Sequence, residues 1–389
     1  MRRYAEECLG LKRFLQQPGD GRVSGRIDAG ELMWAQLAGE ILRQGSFHAI
    51  ERFVRSPARR GLCITHPFGD DALGYFTERL DLAVMRETMA MVVRRAKRNK
   101  TFETTQFIGL ALDGTGVARC ERGGCELCHP VRMPDGKVVS FNHHFSLISV
   151  VGTDVVLPFD VEPKCPGEGE VAASTRLLER AVAHVGPRFA GYLVADGAYA
   201  QAPFLHTAGK LGLRVVARLK GNLPLLLAAA EARFATKPPM ATFMNGSDRV
   251  ELWDADDFDP WDTLDWPSVR VLRYRQHKSD GKTVEAYWLT DFERTVVGSR
   301  ALYRMAKSRW QIENGGFNDG KNRYGLERIR HHHPSSLVAS WLVVCLALMI
   351  ERLYRLRYLR RGTHPPREAA DLLLLLWLAL GAPQPIDTS

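Results

Sequence analysis

Phe107-Ile108-Gly109-Leu110-Ala111-Leu112-Asp113-Gly114-Thr115-Gly116 is the stretch on which the fold turns. An apolar run of strand length, ending on an acid and followed by glycines, predicts a short buried strand over residues 107–112 with Asp113 at its C-terminal end. The pattern returns at Tyr192-Leu193-Val194-Ala195-Asp196-Gly197. Between the two lie β-rich runs at 138–151 and 155–161, separated by the turn Gly152-Thr153-Asp154, and an amphipathic helix at 168–185 carried by Val171, Leu177, Leu178, Ala181 and Val182. A helix at 203–211 and a strand at 214–219 follow. Three strands, helix, strand, helix, strand predicts an α/β fold: a mixed sheet with helices on its faces, in which the two acid-bearing strands can lie side by side.

Outward toward the N-terminus, apolar residues recur at helical spacing in Leu32, Trp34, Leu37 and Ile41 and in Leu80, Val84, Met85, Met89 and Val92, around a turn-rich loop at 56–70. Residues 1–105 are therefore expected to form a basic helical domain. It ends in Arg94-Arg95-Ala96-Lys97-Arg98-Asn99-Lys100, five positive charges in seven positions. Such a run is either a solvated helix end favoured by the macrodipole or a DNA contact through Arg94, Arg95 and Arg98. The charge is +5 over residues 1–105, −2 over 106–300 and +6 over 301–389, for +9 overall, and basic flanks suit a polyanion.

Outward toward the C-terminus, residues 236–297 read as a β-rich insert holding Trp253, Trp261 and Trp266, with a hairpin pairing 269–275 and 283–289 around Ser279-Asp280-Gly281. Helix returns at Ser299, runs over 304–321, and is followed by a long helix from 335 to about 361 and a tail, 362–389, with a short apolar helix. The apolar runs at 337–350 and 372–380 are interrupted or too short for a bilayer and read as buried helices, so no membrane partner is expected. No secretory signal opens the chain, and seven cysteines, an odd number, point to a reducing cytoplasm.

Taken singly, Asp113 and Asp196 fit turn or helix-cap positions, because Asp-Gly is a common turn pair. Placed side by side, two like charges are unfavourable without a cation between them. The third element is Arg309-Trp310-Gln311-Ile312-Glu313-Asn314-Gly315-Gly316-Phe317, with Lys321 beyond. On a helix Arg309 and Glu313 are i and i+4 and share a face. Asp113, Asp196 and Glu313 together offer hard oxygen ligands suited to Mg²⁺.

The order strand-Asp113-Gly-Thr, strand-Asp196-Gly-Ala-Tyr, β-rich insert, then Arg309-Trp-x-Ile-Glu313-Asn resembles the DDE transposases of bacterial insertion sequences. Among them it is most similar to the family with a Tyr, Arg, Glu, Lys signature, over roughly residues 105–350. Asp113, Asp196 and Glu313 match the triad and Arg309 the signature arginine. The signature tyrosine and lysine positions hold Ala306 and Gly320, with Lys321 one place further on. The resemblance implies an RNase H-like core using two Mg²⁺ or Mn²⁺ ions. It implies double-stranded DNA as partner, Arg309 and Lys321 as phosphate clamps, Trp253, Trp261 and Trp266 as candidates for stacking a flipped base, and a homodimer assembled on DNA.

A second constellation is Cys120-x4-Cys125-x2-Cys128-His129 with His143-His144 on the next strand. Two thiolates at x2 spacing form a knuckle for tetrahedral Zn²⁺, and Cys120 with His144 would complete four ligands; the other reading is reduced, unliganded thiols. His331-His332-His333 reads as a solvated helix end. Two functions compete with an active transposase: a catalytically silent DNA-binding descendant, and a zinc-stabilised protein-interaction module.

Overall fold

A computed structural model describes residues 1–103, 105–359 and 368–381. The end of the long helix expected near 361, and the tail at 362–367 and 382–389, lie outside the described residues. The strands are β1 Gly109–Cys120, β2 His129–Arg132, β3 Val138–Val151, β4 Leu157–Pro163, β5 Tyr192–Ala195, β6 Arg214–Leu219, β7 Ala241–Asn245, β8 Asp248–Phe258, β9 Val269–His277 and β10 Thr283–Thr290. Among the described residues they form one ten-stranded sheet in the order β2-β3-β1-β5-β6-β10-β9-β8-β7, with β4 also paired to β3. The mixed α/β expectation holds.

β1, β3 and β4 are antiparallel, whereas β1, β5 and β6 are parallel. Parallel neighbours are covered by helices on both faces, which is why Leu110, Leu112, Leu193, Val194 and Val216 are apolar without alternation and fully buried. The strands of residues 241–290 extend this sheet, because β10 pairs antiparallel with β6. The expected hairpin is formed by β9 and β10, with Gly281 at φ +81° supplying the turn.

The helices are α1 Lys12–Gln16, α2 Ala29–Ile41, α3 Phe47–Arg55, α4 Asp70–Glu78, α5 Leu82–Arg98, α6 Glu170–Val185, α7 Ala202–Lys210, α8 Pro224–Ala235, α9 Ser299–Gln311, α10 Asp319–Tyr324, α11 Pro334–Tyr354 and α12 Ala369–Ala379. The expected pattern missed α8, although Pro224 at its first turn and the Leu-Ala run behind it are helix-forming signals. The helix from Pro334 to Leu359 is long and apolar enough to cross a membrane, yet 94% of its apolar window is buried within the fold. It packs between β4 and α2, and Trp341 stacks on Phe145 of β3 at 4.6 Å. The N-terminal helices thereby share one continuous apolar core with the sheet.

The expectation of a second buried helix at 372–380 is corrected. In α12 only Ala369, Leu372 and Trp377 are buried, while Leu374, Leu375 and Leu378 are 44–65% exposed, because the helix lies on the surface with one face against Leu42 and Phe53.

Candidate functional site

The paired register of β1 and β5 ends at Leu112 opposite Ala195, so Asp113 and Asp196 are the next residues on adjacent parallel strands. Asp196 follows directly on β5 as expected, and its carbonyl accepts from the Tyr199 amide at 3.1 Å in the turn Gly197–Tyr199. Asp113 does not end its strand. β1 continues to Cys120, since pairing with β3, Asp113 opposite Leu147 onward, carries the backbone through glycines that break the apolar run. The carboxylate end of a parallel sheet is where α/β folds bind ligands.

Glu313 arrives from the other side. The chain is helical from Ser299 to Tyr324, and residues Ile312–Asn318 form a π-helical segment. Such segments insert an extra residue and concentrate at functional positions. Arg352 of α11 braces the segment by donating to the Gly315 carbonyl and pairing with Asp319 at 2.7 Å.

Arg309 joins the two sides. Its buried guanidinium places Nη1 3.4 Å from Asp113 Oδ2 and Nη2 2.7 Å from Glu313 Oε1. Lys220, one residue past β6, holds Asp196 at 2.8 Å. Burial, with Glu170 and Glu313 nearby, pushes the Asp113 carboxyl up to about 6 against the pull of Arg309 and the Gly114 amide. Burial also raises Asp196, but the Lys220 ammonium and the Gly197 amide outweigh it and leave that carboxyl below its ordinary value.

Lys220 and Glu170 are site residues that sequence reasoning missed. Lys220 follows β6 much as Asp196 follows β5, a repeat of strand-end position that could have found it. Glu170, in the first turn of α6, accepts from Tyr199 Oη at 2.7 Å, and Tyr199 lies 3.0 Å from Ser174 Oγ. Its carboxylate lies against Gly114, where a Cβ would stand 2.4 Å from Glu170 Cδ, so a larger residue there would displace the Glu170 carboxylate.

The remaining candidates are distributed unevenly. Lys321 pairs with Glu327 at 3.2 Å. Arg94 donates to the His184 carbonyl and pairs with Glu87, and Arg95 donates to the Glu7 carbonyl, whereas Arg98 is exposed. Trp253 is buried, donates to the Lys237 carbonyl at 2.8 Å and lies under Arg273 at 4.4 Å, so it is packed into the fold and does not present a stacking face. Trp261 and Trp266 are half-buried beside Leu264.

Among the described residues, ligand atoms gather within 4.8 Å of one another in two sets, Cys125–Cys128–His143–His332 and His48–Glu51–Asp70. Asp113, Asp196 and Glu313 are spaced more widely, with Arg309 among them. The first set corrects the expected Cys120 and His144. Adjacent residues of a strand point to opposite faces, so His143 turns inward beside the thiols while His144 packs on His129 at 4.7 Å. Cys120 lies near Cys128 but faces the Phe141 carbonyl at 3.8 Å. His332 takes the fourth place, and the three histidines are half-buried, not a solvated helix end: His331 pairs with Glu78 at 2.7 Å and His333 stands at the N-cap position of α11 without a side-chain capping bond.

A search of curated proteins gave no significant match. The model of the transposase DDE domain family matches residues 105–350, which take in the parallel strands, both aspartates and the Glu313 helix, and the chain belongs to that family.

Proposed function

We propose that this transposase binds the ends of an insertion sequence as double-stranded DNA, hydrolyses a phosphodiester there, and joins the freed 3′-hydroxyl to target DNA. The observation that carries the reading is the convergence of Asp113 and Glu313 on one guanidinium beside the Lys220–Asp196 pair, at the carboxyl ends of β1 and β5.

The donor set fits a hard divalent cation. It consists of carboxylate oxygens, and burial, with smaller contributions from Glu170 and Glu313, displaces Asp113 upward, so its charged form is costly there until a cation compensates it. Asp113, Asp196 and Glu313 would hold Mg²⁺ or Mn²⁺, which when bound supplies Lewis-acid activation of the attacking oxygen and neutralises the leaving one. Arg309 serves two ends: it keeps Asp113 and Glu313 facing each other, and it offers a positive charge to a non-bridging phosphate oxygen. Lys220 fixes Asp196 and contributes a second cation at the strand edge. Glu170, held by Tyr199, adds a negative field at Asp113 that either a proton or a divalent cation offsets. Lys321 and Arg98 supply phosphate contacts on the DNA path, and two transposon ends are served by a homodimer.

The pH dependence has a definite sign. A carboxyl raised in the folded state from 3.8 to about 6 favours folding below its unfolded value, and that contribution is lost as pH rises through about 6. A cation competes with the same proton. Mg²⁺ should therefore raise the thermal midpoint at pH 8 and do so little at pH 5, with the gain appearing across about pH 6 and absent in Asp113→Asn. Differential scanning fluorimetry over a pH series reads this directly; a Mg²⁺ gain of equal size at pH 5 and 8 would remove Asp113 from the cation site.

The function itself is tested by incubating a labelled duplex carrying the native transposon end with the full chain in Mg²⁺ or in EDTA. Nicking at the end in Mg²⁺ alone supports the proposal. Tight end binding with no cut in either condition means a catalytically silent DNA-binding protein.

A further inference from the structure

We propose that Cys125, Cys128, His143 and His332 bind one structural Zn²⁺, which fastens the turn between β1 and β2 to the segment joining α10 and α11. The four ligand atoms all lie within 4.8 Å of one another, and four of their six separations are close to those a tetrahedral ion requires. With Zn–S near 2.3 Å and Zn–N near 2.05 Å, a tetrahedron has edges of about 3.8 Å between sulfurs and about 3.6 Å between sulfur and nitrogen. The observed separations are 3.6 Å for Cys125 Sγ to Cys128 Sγ, 3.4 and 3.5 Å from these sulfurs to His143 Nε2, and 3.3 Å from Cys128 Sγ to His332 Nε2.

The surroundings suit the same ion. Cys125-Glu126-Leu127-Cys128 closes a turn through the Cys128 amide and the Cys125 carbonyl at 3.2 Å, and backbone hydrogen bonds from Leu127 and Gly124 reach the Cys125 and Cys128 sulfurs. Such second-layer bonds stabilise thiolates bound to a metal. A Cβ on residue 124 would stand 3.0 Å from the His332 ring, so glycine there lets the turn close on the imidazole. His143 is fully buried, and two thiolates with two neutral imidazoles would leave Zn²⁺ with no net charge in that interior.

The clasp joins residues 204 positions apart in sequence, Cys128 and His332. It ties the far end of the strand carrying Asp113 to the segment that follows the helix carrying Glu313, and its role is architectural, independent of what the carboxylates do.

The full chain, purified from zinc-supplemented culture, is expected to hold one zinc per chain by elemental analysis after dialysis against a weak chelator. Replacing Zn²⁺ with Co²⁺ in the parent chain should give the intense visible bands of tetrahedral cobalt with thiolate charge transfer in the near ultraviolet, a readout that needs no variant. Cys128→Ser and His332→Ala should lose the metal under the same dialysis, while His332→Cys, which restores a fourth ligand, keeps it. Cys120→Ser and His144→Ala should retain full occupancy. A parent chain with no zinc and only weak octahedral cobalt bands would overturn the proposal, as would loss of metal from Cys120→Ser or His144→Ala to the extent seen in Cys128→Ser.

Discussion

Glu313→Gln should reduce strand cleavage by roughly 10²–10³-fold or more while leaving end binding within about twofold. Glutamine keeps the length and shape of the side chain and removes its charge. The fold should tolerate it, because the Glu313 side chain is 40% exposed and its pairing with Arg309 is an i,i+4 contact of the kind that contributes only about 0.5 kcal/mol when solvated. Arg309 also retains Asp113 at 3.4 Å, so the guanidinium stays in place. What is lost is a hard anionic ligand, and with it the means of holding a divalent cation against both aspartates. Single-turnover cleavage at matched DNA occupancy, with thermal midpoints in parallel, separates these effects. Cleavage within tenfold of the parent would show that Glu313 holds no ion needed for the chemistry, and the wider Glu170 carboxylate environment would then take its place as the third acid.

The placement of this site was partly legible in the residues. Two apolar runs ending on Asp-Gly gave the adjacency of β1 and β5, because buried parallel strands are continuous in hydrophobicity, and the Arg309–Glu313 spacing gave the shared helix face. The continuation of β1 beyond Asp113 was hidden, since Gly114 and Gly116 erase the apolar signal and the strand is held there by β3. Lys220 and Glu170 were hidden for a different reason. A single charge at a strand end or in a first helical turn has an ordinary local role; the register of β5 and β6 sets Lys220 beside Asp196, and the first turn of α6 sets Glu170 beside Gly114. The cysteine turn announced a metal knuckle, but the choice between His143 and His144 depended on which face of β3 meets the thiols, and His332 on a contact across 204 residues. Periodicity likewise identified α12 as a helix without showing that half of its leucines, Leu374, Leu375 and Leu378, are exposed.

Arg330→Met should destabilise the chain by about 3–5 kcal/mol, the largest stability effect expected of any single substitution discussed. Arg330 and Glu40 pair at 2.8 Å with side chains 0% and 1% exposed, and Arg330 also donates to the Tyr324 carbonyl at 2.9 Å. Nearby, Glu351 accepts from Arg43 at 2.6 Å and from Tyr324 Oη. Glu40 belongs to α2 and Arg43 follows it, whereas Tyr324, Arg330 and Glu351 lie on the Glu313 side of the fold, so this buried network couples the N-terminal helices to the catalytic core. Burial pushes the Glu40 carboxyl up to about 7 even with Arg330 beside it, so without the arginine the acid is stranded. The pair is costly to break but need not be a strong net stabiliser, because Glu40 Oε1, Arg330 Nε and Arg330 Nη1 have no hydrogen-bond partner among the described residues. The double variant Glu40→Leu/Arg330→Met should therefore recover most of the loss. Urea unfolding of the parent, Arg330→Met and the double variant decides between a coupled pair and independent contributions. If the pair links the two parts, the parent unfolds in one transition and Arg330→Met shifts it as a whole. Loss confined to an early N-terminal transition would show instead that the helices unfold on their own, and that the sheet and its carboxylates do not depend on them.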